Sequence, residues 1–318
     1  MKNSVYPRYK EHIDSSDMII MACSWWVDSM VLLNLLMGIH PHENIIVAHF
    51  DHSIRWQESH QDREFVELFC MEHKLLLEAE KEDILALAKT EKRGIEEMAR
   101  IRRYEFLERI REKYHAKWIL TAHHQDDRIE TAVFNLIRGT KLWGIHALTY
   151  EQWYILRLFL DKTKEEIVAF SKKHAIPYRD DSSNQDDSYL RNRLRNTILP
   201  LFSEINPEYR RALANFIHYT EEAKEWIDQT ILAWLLLNGN RSKKEWRYFS
   251  VSSFCSESSF LQKEIIRFLY EEANRWTIGL SEGSMDELLR FIHEAGNMTE
   301  KEINKLRLEK KWDAVYIV

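Results

Sequence analysis

Five short, mainly apolar runs, at 18–23, 45–50, 74–79, 117–121 and 154–158, the first two rich in β-branched residues, alternate with helical patterns at 29–38, 58–73, 92–113, 125–138 and 162–174. Runs that are apolar along their whole length suit strands covered on both faces, and strand–helix alternation is how one chain covers both faces of a sheet. Residues 1–201 are therefore expected to form an α/β domain, a doubly wound parallel sheet of five strands. Ligands of such sheets bind beyond the carboxyl ends of the strands. That rule singles out residues 24–29, 49–55, 122–131 and 179–195.

After Pro200 the character changes. Residues 207–236 read as one long helix and 238–240 as a polar break. Residues 241–318 read as a smaller helical segment ending in the strand-like runs 305–308 and 314–318. A second, smaller and mainly helical domain is expected over 202–318. The first 17 residues are polar and charged, and no apolar stretch approaches the ~20 residues of a membrane span. Cys23, Cys70 and Cys255 are too widely spaced for a Cys-x-x-Cys pair or a disulfide framework, which fits a reducing cytoplasm. The net charge of −6 argues against non-specific nucleic-acid binding, yet residues 89–113 carry nine Lys and Arg, and Arg191, Arg193, Arg195, Arg210 and Arg211 form a second cluster. One structured RNA needs only local basic patches; mixed-charge helices also simply face solvent, and for the first cluster both readings stay open.

Residues 23–29 read Cys-Ser-Trp-Trp-Val-Asp-Ser, between the first strand and a helix that opens at Ser29. A turn in that position offers backbone N–H groups and a helix dipole to phosphate. Ser24 and Ser29 can donate to phosphate oxygens, and Asp28 can hold a magnesium ion or orient the loop. Trp25 and Trp26 are foreign to such a turn, which favours glycine for its positive φ and for the room it leaves the ligand. The chain has 8 glycines and 11 tryptophans; average usage of about 7% would give roughly 22 glycines. Trp56, Trp143, Trp153 and Trp276 also sit where turn chemistry favours glycine. A codon read as glycine in the source organism, UGA being the obvious candidate, and rendered here as tryptophan accounts for all of these. The alternative is a real, Trp-rich and inactive protein. Trp118, Trp226, Trp234 and Trp246 lie in helical or strand-like stretches and suit tryptophan; Trp312 is undecided.

Three further segments carry chemistry. His49 and Asp51 close the second strand, with His52 and Arg55 at its edge; a lone His–Asp pair there is usually structural. Arg100 and Arg103 share one helix face, able to hold a phosphate or to answer Glu96 and Glu97 by local ion pairs. His123, His124, Asp126 and Asp127 follow the fourth strand and start a helix; acids in a first turn complement the dipole, but this set is denser than capping requires. No fourth-ligand spacing supports zinc.

Together these segments resemble the tRNA(Ile)-lysidine synthetase family of the PP-loop, or N-type, ATP pyrophosphatases. The Ser-x-x-Val-Asp-Ser loop, His-Phe-Asp-His-x-x-Arg, Glu-Glu-x-Ala-Arg-x-x-Arg-Tyr and Thr-Ala-His-His-x-Asp-Asp-x-x-Glu-Thr stand in family order, followed by Asp181-Ser182-Ser183-Asn184, Arg191-Asn192-Arg193-Leu194-Arg195 and Pro200. Trp25, Trp26, Trp56, Trp143, Trp153 and Trp276 fall where relatives commonly have glycine, and Leu158 where they favour proline. The far C-terminal domain of longer family members is expected to be missing.

The resemblance implies ligation of L-lysine to C2 of the wobble cytidine of tRNA(Ile) with a CAU anticodon, using ATP and Mg²⁺. It places ATP on Ser24, Trp25, Trp26, Val27, Asp28 and Ser29, with the metal at Asp28. Asp126 and Asp127 fall near the reacting centre, and His52, Arg100 and Arg103 are candidate phosphate or substrate contacts. Asn184, Arg191, Asn192 and Arg195 would hold tRNA or complete the site. A homodimer is left open, as are a thiolating PP-loop enzyme, which would need cysteines this spacing lacks, and a catalytically inactive tRNA binder.

Overall fold

The amino-terminal residues, polar by composition, fold as helix α1 (Lys2–His12), because Val5, Tyr9 and Ile13 recur on one face and are buried. The structure is a computed structural model describing all residues except 53–55, 141, 146–147, 180–189, 243–244 and 275–279. After α1 come β1 (Ile19–Ala22), α2 (Val27–Met37), β2 (Ile45–Asp51), α3 (Trp56–His73) and β3 (Leu76–Lys81). The helical stretch expected at 92–113 is preceded by an extra short helix, giving α4 (Ile84–Glu91) and α5 (Ile95–Lys113). Then follow β4 (Trp118–Leu120), α6 (Gln125–Ile137), α7 (Leu142–Ile145), β5 (Glu151–Gln152), β6 (Ile155–Leu156) and α8 (Lys164–His174).

The five expected strands are all present and parallel, in the order β3-β2-β1-β4-β6; β5 adds a sixth at the edge, antiparallel to β6. Every residue of β2 is buried and Ile19, Ile20 and Met21 of β1 are inaccessible, as strands covered on both faces require. The chain runs outward from β1 through β2 to β3, then returns to the other side of β1 as β4. The loops after β1 and β4 therefore leave the sheet side by side, at a topological switch point. Next come α9 (Leu190–Arg193), a π-helical turn at 194–198, α10 (Leu199–Ile205) and α11 (Tyr209–Asn238). Leu194, Leu199, Tyr209 and Ile217 pack with Ile129, Ala132 and Val133 of α6, which brings the second basic cluster to that helix.

Two compact units, Met1–Ile217 and His218–Val318, divide within α11. The second unit holds more sheet than the sequence suggests. The polar break begins a strand, β7 (Gly239–Ser242), where a Cβ on Gly239 would meet the carbonyl oxygens of Tyr248 and Leu235 at 2.7 and 2.8 Å. With β8 (Glu245–Ser250), α12 (Val251–Ser256), α13 (Ser259–Asn274), α14 (Glu282–Glu294), β9 (Thr299–Ile303), β10 (Leu306–Lys311) and β11 (Ala314–Ile317), it forms helices and an antiparallel sheet ordered β7-β8-β11-β10-β9.

Candidate functional site

The chain turns sharply between β1 and α2. Ser29 is buried, and its hydroxyl braces the turn: it donates to Trp26 O (3.0 Å) and accepts from Ser24 N (3.2 Å), with Ser24 Oγ 3.3 Å away. Trp25 has φ +49°, in the left-handed region where bulky residues are outliers. Trp26 does not share that geometry. Its φ of −70° and ψ of 158° suit any N-cap residue, and its indole is 40% exposed. The Trp25 indole is buried over His49, centroid to centroid 3.9 Å, rather than standing free in the loop. His49 Nδ1 in turn lies 3.0 Å from Cys23 O.

Hairpin geometry tests the other tryptophans. Among the described residues, three hairpin loops are two residues long, Trp153-Tyr154, Asn304-Lys305 and Trp312-Asp313, as the pairings Gln152↔Ile155, Ile303↔Leu306 and Lys311↔Ala314 define. The first loop residue has φ +60°, +53° and +53°, respectively. Positive φ at that position calls for Gly, Asn or Asp. One loop has Asn; the other two have Trp, which adds Trp312 to the set. Trp56 and Trp143, by contrast, lie in α3 and α7, where the backbone asks for no glycine, and Trp276 lies outside the described residues. Trp118 and Trp234 satisfy their indole N–H groups on His12 O (2.9 Å) and Glu257 Oε1 (2.8 Å), as buried tryptophans should.

Three aspartates surround one buried imidazole. His124 Nε2 lies 3.8 Å from Asp28 Oδ1 and 3.4 Å from Asp127 Oδ2, and its Nδ1 lies 3.6 Å from Asp126 Oδ2. Asp127 also caps α6, accepting from the His124 backbone N–H at 3.0 Å, so the capping reading of that residue holds too. Each aspartate has a cation from a distant segment: Lys164 Nζ on both oxygens of Asp28 (2.8 and 2.7 Å), Arg210 on Asp126 (2.7 Å) and Arg195 on Asp127 (3.3 Å). Arg195 also binds the buried Glu130 at 2.5 and 2.8 Å. Burial raises the Asp127 carboxyl, but His124, His123 and Arg195 outweigh it and hold it below the usual range. Burial pushes the Glu130 carboxyl up more than Arg195 brings it down.

The first basic cluster divides. Arg93, Arg102, Arg109, Arg111 and Lys113 pair with Glu97, Glu82, Glu80, Glu108 and Glu78, of which Glu78 and Glu80 are on β3. Arg100 and Arg103 instead lie 5.8 and 5.6 Å from the Tyr104 ring. Burial and the charges of Arg157 and Arg103 outweigh nearby acids and hold the His123 imidazole down to about 3; His52 is likewise brought to about 3, by burial and then by Arg103. Arg103 thus lies within electrostatic reach of both His52 and Asp127. Arg191 donates to Thr131 Oγ1 (3.2 Å), and Asn192 lies beside it in α9. Asn184, Ser53, Ile54 and Arg55 lie outside the described residues.

The first 202 residues match the model of the PP-loop domain. The tRNA(Ile)-lysidine synthase of Thermotoga sp. (strain RQ2) is 30% identical over 96% of this chain and 69% of its own length. The chain belongs to the tRNA(Ile)-lysidine synthase family. A bifunctional TilS/HprT protein of Listeria innocua is 32% identical over 84% of this chain, which spans only 42% of that relative. Among solved structures, the U34-tRNA thiolase NcsA of Methanococcus maripaludis has a TM-score of 0.56 at 14% identity, covering 70% of this chain and 78% of its own; at that identity the likeness is one of fold. Family membership accounts for a PP-loop domain over the first 202 residues. It leaves Lys164 and Arg210 to be found in the structure, since their partners Asp28 and Asp126 lie far away in sequence and no spacing rule reaches them.

Proposed function

We propose that the chain ligates L-lysine to C2 of the wobble cytidine in a tRNA(Ile) with a CAU anticodon, consuming ATP. The observation that carries this reading is the meeting of Asp28 and Asp127, from the segments after β1 and β4, at Nε2 of His124. C2 of cytosine is a poor electrophile. Transfer of AMP from ATP to its oxygen releases pyrophosphate and makes a leaving group; the lysine amine then forms the new C–N bond, loses a proton, and AMP departs. The protein's part is positioning and charge neutralisation. The start of α2, behind its N-cap Trp26, offers backbone N–H groups to the triphosphate, while Asp127, kept ionised, faces the reacting centre.

Asp28 and Asp127 offer the hard oxygens that Mg²⁺ takes, and Lys164 already seats a positive charge on Asp28. Among the described residues no group of three or more ligands is arranged for a metal, so the ion would be held by one or two carboxylates and by substrate phosphates. When bound it would neutralise phosphate charge. Arg100, Arg103, Arg191, Asn192 and Arg195 are proposed to receive phosphate or tRNA. No helix among the described residues is long and apolar enough to cross a membrane. The three cysteines, all free thiols, suit a reducing cytoplasm.

The Trp25 indole pins this loop to His49 in a left-handed conformation that glycine takes without strain, so the chain with tryptophan at 25 is expected to bind ATP poorly. Transfer of radiolabelled lysine to a tRNA(Ile) transcript decides the matter. Incorporation that appears or rises with Trp25→Gly and Trp26→Gly, and disappears with Asp127→Asn, is the expected result. Binding of tRNA without incorporation, even with both glycines in place, would replace this reading with an inactive tRNA binder.

A further inference from the structure

Among the three cation–aspartate pairs around His124, that of Lys164 differs in kind. Arg195 is shared with Glu130, and Arg210 with Glu165 at 3.2 Å. Both guanidinium groups are thus tied to a second carboxylate. Among the described residues the Lys164 ammonium pairs with Asp28 alone, bound to both its oxygens. Its base is fixed: the Lys164 backbone N–H donates to Asp126 Oδ2 (2.9 Å), and the Thr163–Glu166 capping box locks the first turn of α8. Its tip is not fixed by packing, since the side chain is 41% exposed against 16% for Asp28. A lysine ammonium is a compact, hydrated point charge on a flexible stem, which can change partners where a forked guanidinium cannot.

Both Asp28 oxygens are occupied by Nζ within 2.8 Å. A magnesium ion approaching the same oxygens to roughly 2.1 Å would meet the ammonium as a like charge in the same place. We infer that Lys164 is the resident counter-ion of Asp28, displaced when metal-bound ATP enters, and that the released ammonium then pairs with the triphosphate. Lys164 is on this account a positioning residue that keeps the acidic pocket neutral between turnovers and delivers a positive charge when phosphate arrives. The inference rests on the reading of Asp28 as a metal-binding residue.

The test measures metal and nucleotide separately. Mn²⁺, read by electron paramagnetic resonance as a stand-in for Mg²⁺, is titrated into the full chain without nucleotide. Lys164→Met should bind the metal about threefold tighter or more, an exposed pair being modest in strength, and Lys164→Arg, whose guanidinium does not let go of Asp28, should bind it no tighter than the parent. Asp28→Asn should lose the site in each background. With Mg²⁺ present, ATP binding should move the opposite way and weaken in Lys164→Met, measured in the unaltered chain and in one carrying Trp25→Gly and Trp26→Gly. A merely structural lysine would not tighten one ligand and weaken the other. Unchanged or weaker metal binding in Lys164→Met, with Asp28→Asn still losing the site, would overturn the role of Lys164 and leave Asp28 as a ligand. An Asp28→Asn chain that binds metal like the parent would remove the underlying reading as well. ATP binding unaffected by Lys164→Met would refute the hand-over to phosphate. Lys164→Gln serves should the methionine variant fail to fold.

Discussion

The ring centroids of Trp25 and His49 lie 3.9 Å apart at an interplanar angle of 62°, and Trp25 reaches that position from a backbone φ of +49°. Left-handed backbone costs a residue with a Cβ about 1–2 kcal/mol, so the buried indole offsets strain that glycine would not have. The loop that should admit phosphate is thus held by an aromatic contact with the end of β2.

Replacing Trp25 by Gly removes both the indole and the strain. Truncating a buried tryptophan typically costs about 3–5 kcal/mol, and relief of the backbone returns part of it, so a net loss of about 1–3 kcal/mol is expected in urea unfolding. ATP affinity should rise in the same variant. Trp26→Gly, at an exposed N-cap with ordinary backbone, should change stability by less than about 1 kcal/mol. A Trp25→Gly chain as stable as the parent and no better at binding ATP would mean that the indole is not what closes the loop.

Peptides from the protein made in its own cells should carry glycine at 25, 153 and 312, the tryptophan positions with positive φ. Residues 26, 56, 143 and 276 are expected to follow on the family resemblance. Trp118 and Trp234, whose indole N–H groups are bonded, serve as internal controls and should remain tryptophan. Tandem mass spectra showing tryptophan at all of these positions would end the recoding hypothesis.

Arg195→Ala leaves Glu130 buried without its counter-ion. Breaking a fully buried pair costs about 3–5 kcal/mol; with the guanidinium 38% exposed, a loss of about 2 kcal/mol is expected at pH 7. Glu130 already has a raised folded-state value. An acid of that kind favours folding most when neutral, and the advantage disappears as pH rises through its folded value. The defect of Arg195→Ala should therefore shrink toward pH 5. Urea midpoints at the two pH values check it, and a defect that grows on acidification would contradict the assignment.

His123 and His52, both held near 3, make the first unit sensitive to acid. Above about pH 6.5 each is neutral in the folded and the unfolded chain. Below it the unfolded chain takes up protons that the folded one refuses, so stability falls from about 6.5 down to about 3, by at most ~1.4 kcal/mol per pH unit for each residue. His123→Asn should flatten this slope between pH 7 and 5, compared by urea titration. An unchanged slope would place the acid sensitivity elsewhere.

Arg191 stands on the exposed side of α9 beside α6, and it is proposed to meet the tRNA backbone. Arg191→Ala should weaken tRNA binding and reduce the slope of log affinity against log salt by about one. Equal salt slopes in filter-binding assays would argue that the residue only buttresses Thr131.

Strands β1 and β2 were legible because a strand buried on both faces is largely apolar, whereas the half-exposed β3 showed only its apolar start at Leu76 and Leu77. Helix α1 was hidden by the charges between Val5, Tyr9 and Ile13. The second antiparallel sheet was hidden for a related reason. A strand such as β9, Thr-Glu-Lys-Glu-Ile, alternates half-buried with exposed positions, and its polar residues dominate the sequence signal. The acidic segment at 126–127 and the loop at 24–29 were legible as motifs, though at Trp26, Trp56 and Trp143 the backbone proved ordinary.

By itself, the sequence determined the local matters: which stretches are strands or helices, which turns ask for glycine, and which family's motifs stand in order. Those follow from dihedral preference and apolar periodicity, which act over a few residues. Only the tertiary structure decided which charges meet. Asp28 and Lys164 are 136 residues apart, Asp127 and Arg195 68, and each pair forms because strand order and helix packing bring them together. Coulomb attraction depends on distance in space and on burial, and neither is written in the spacing of residues along the chain.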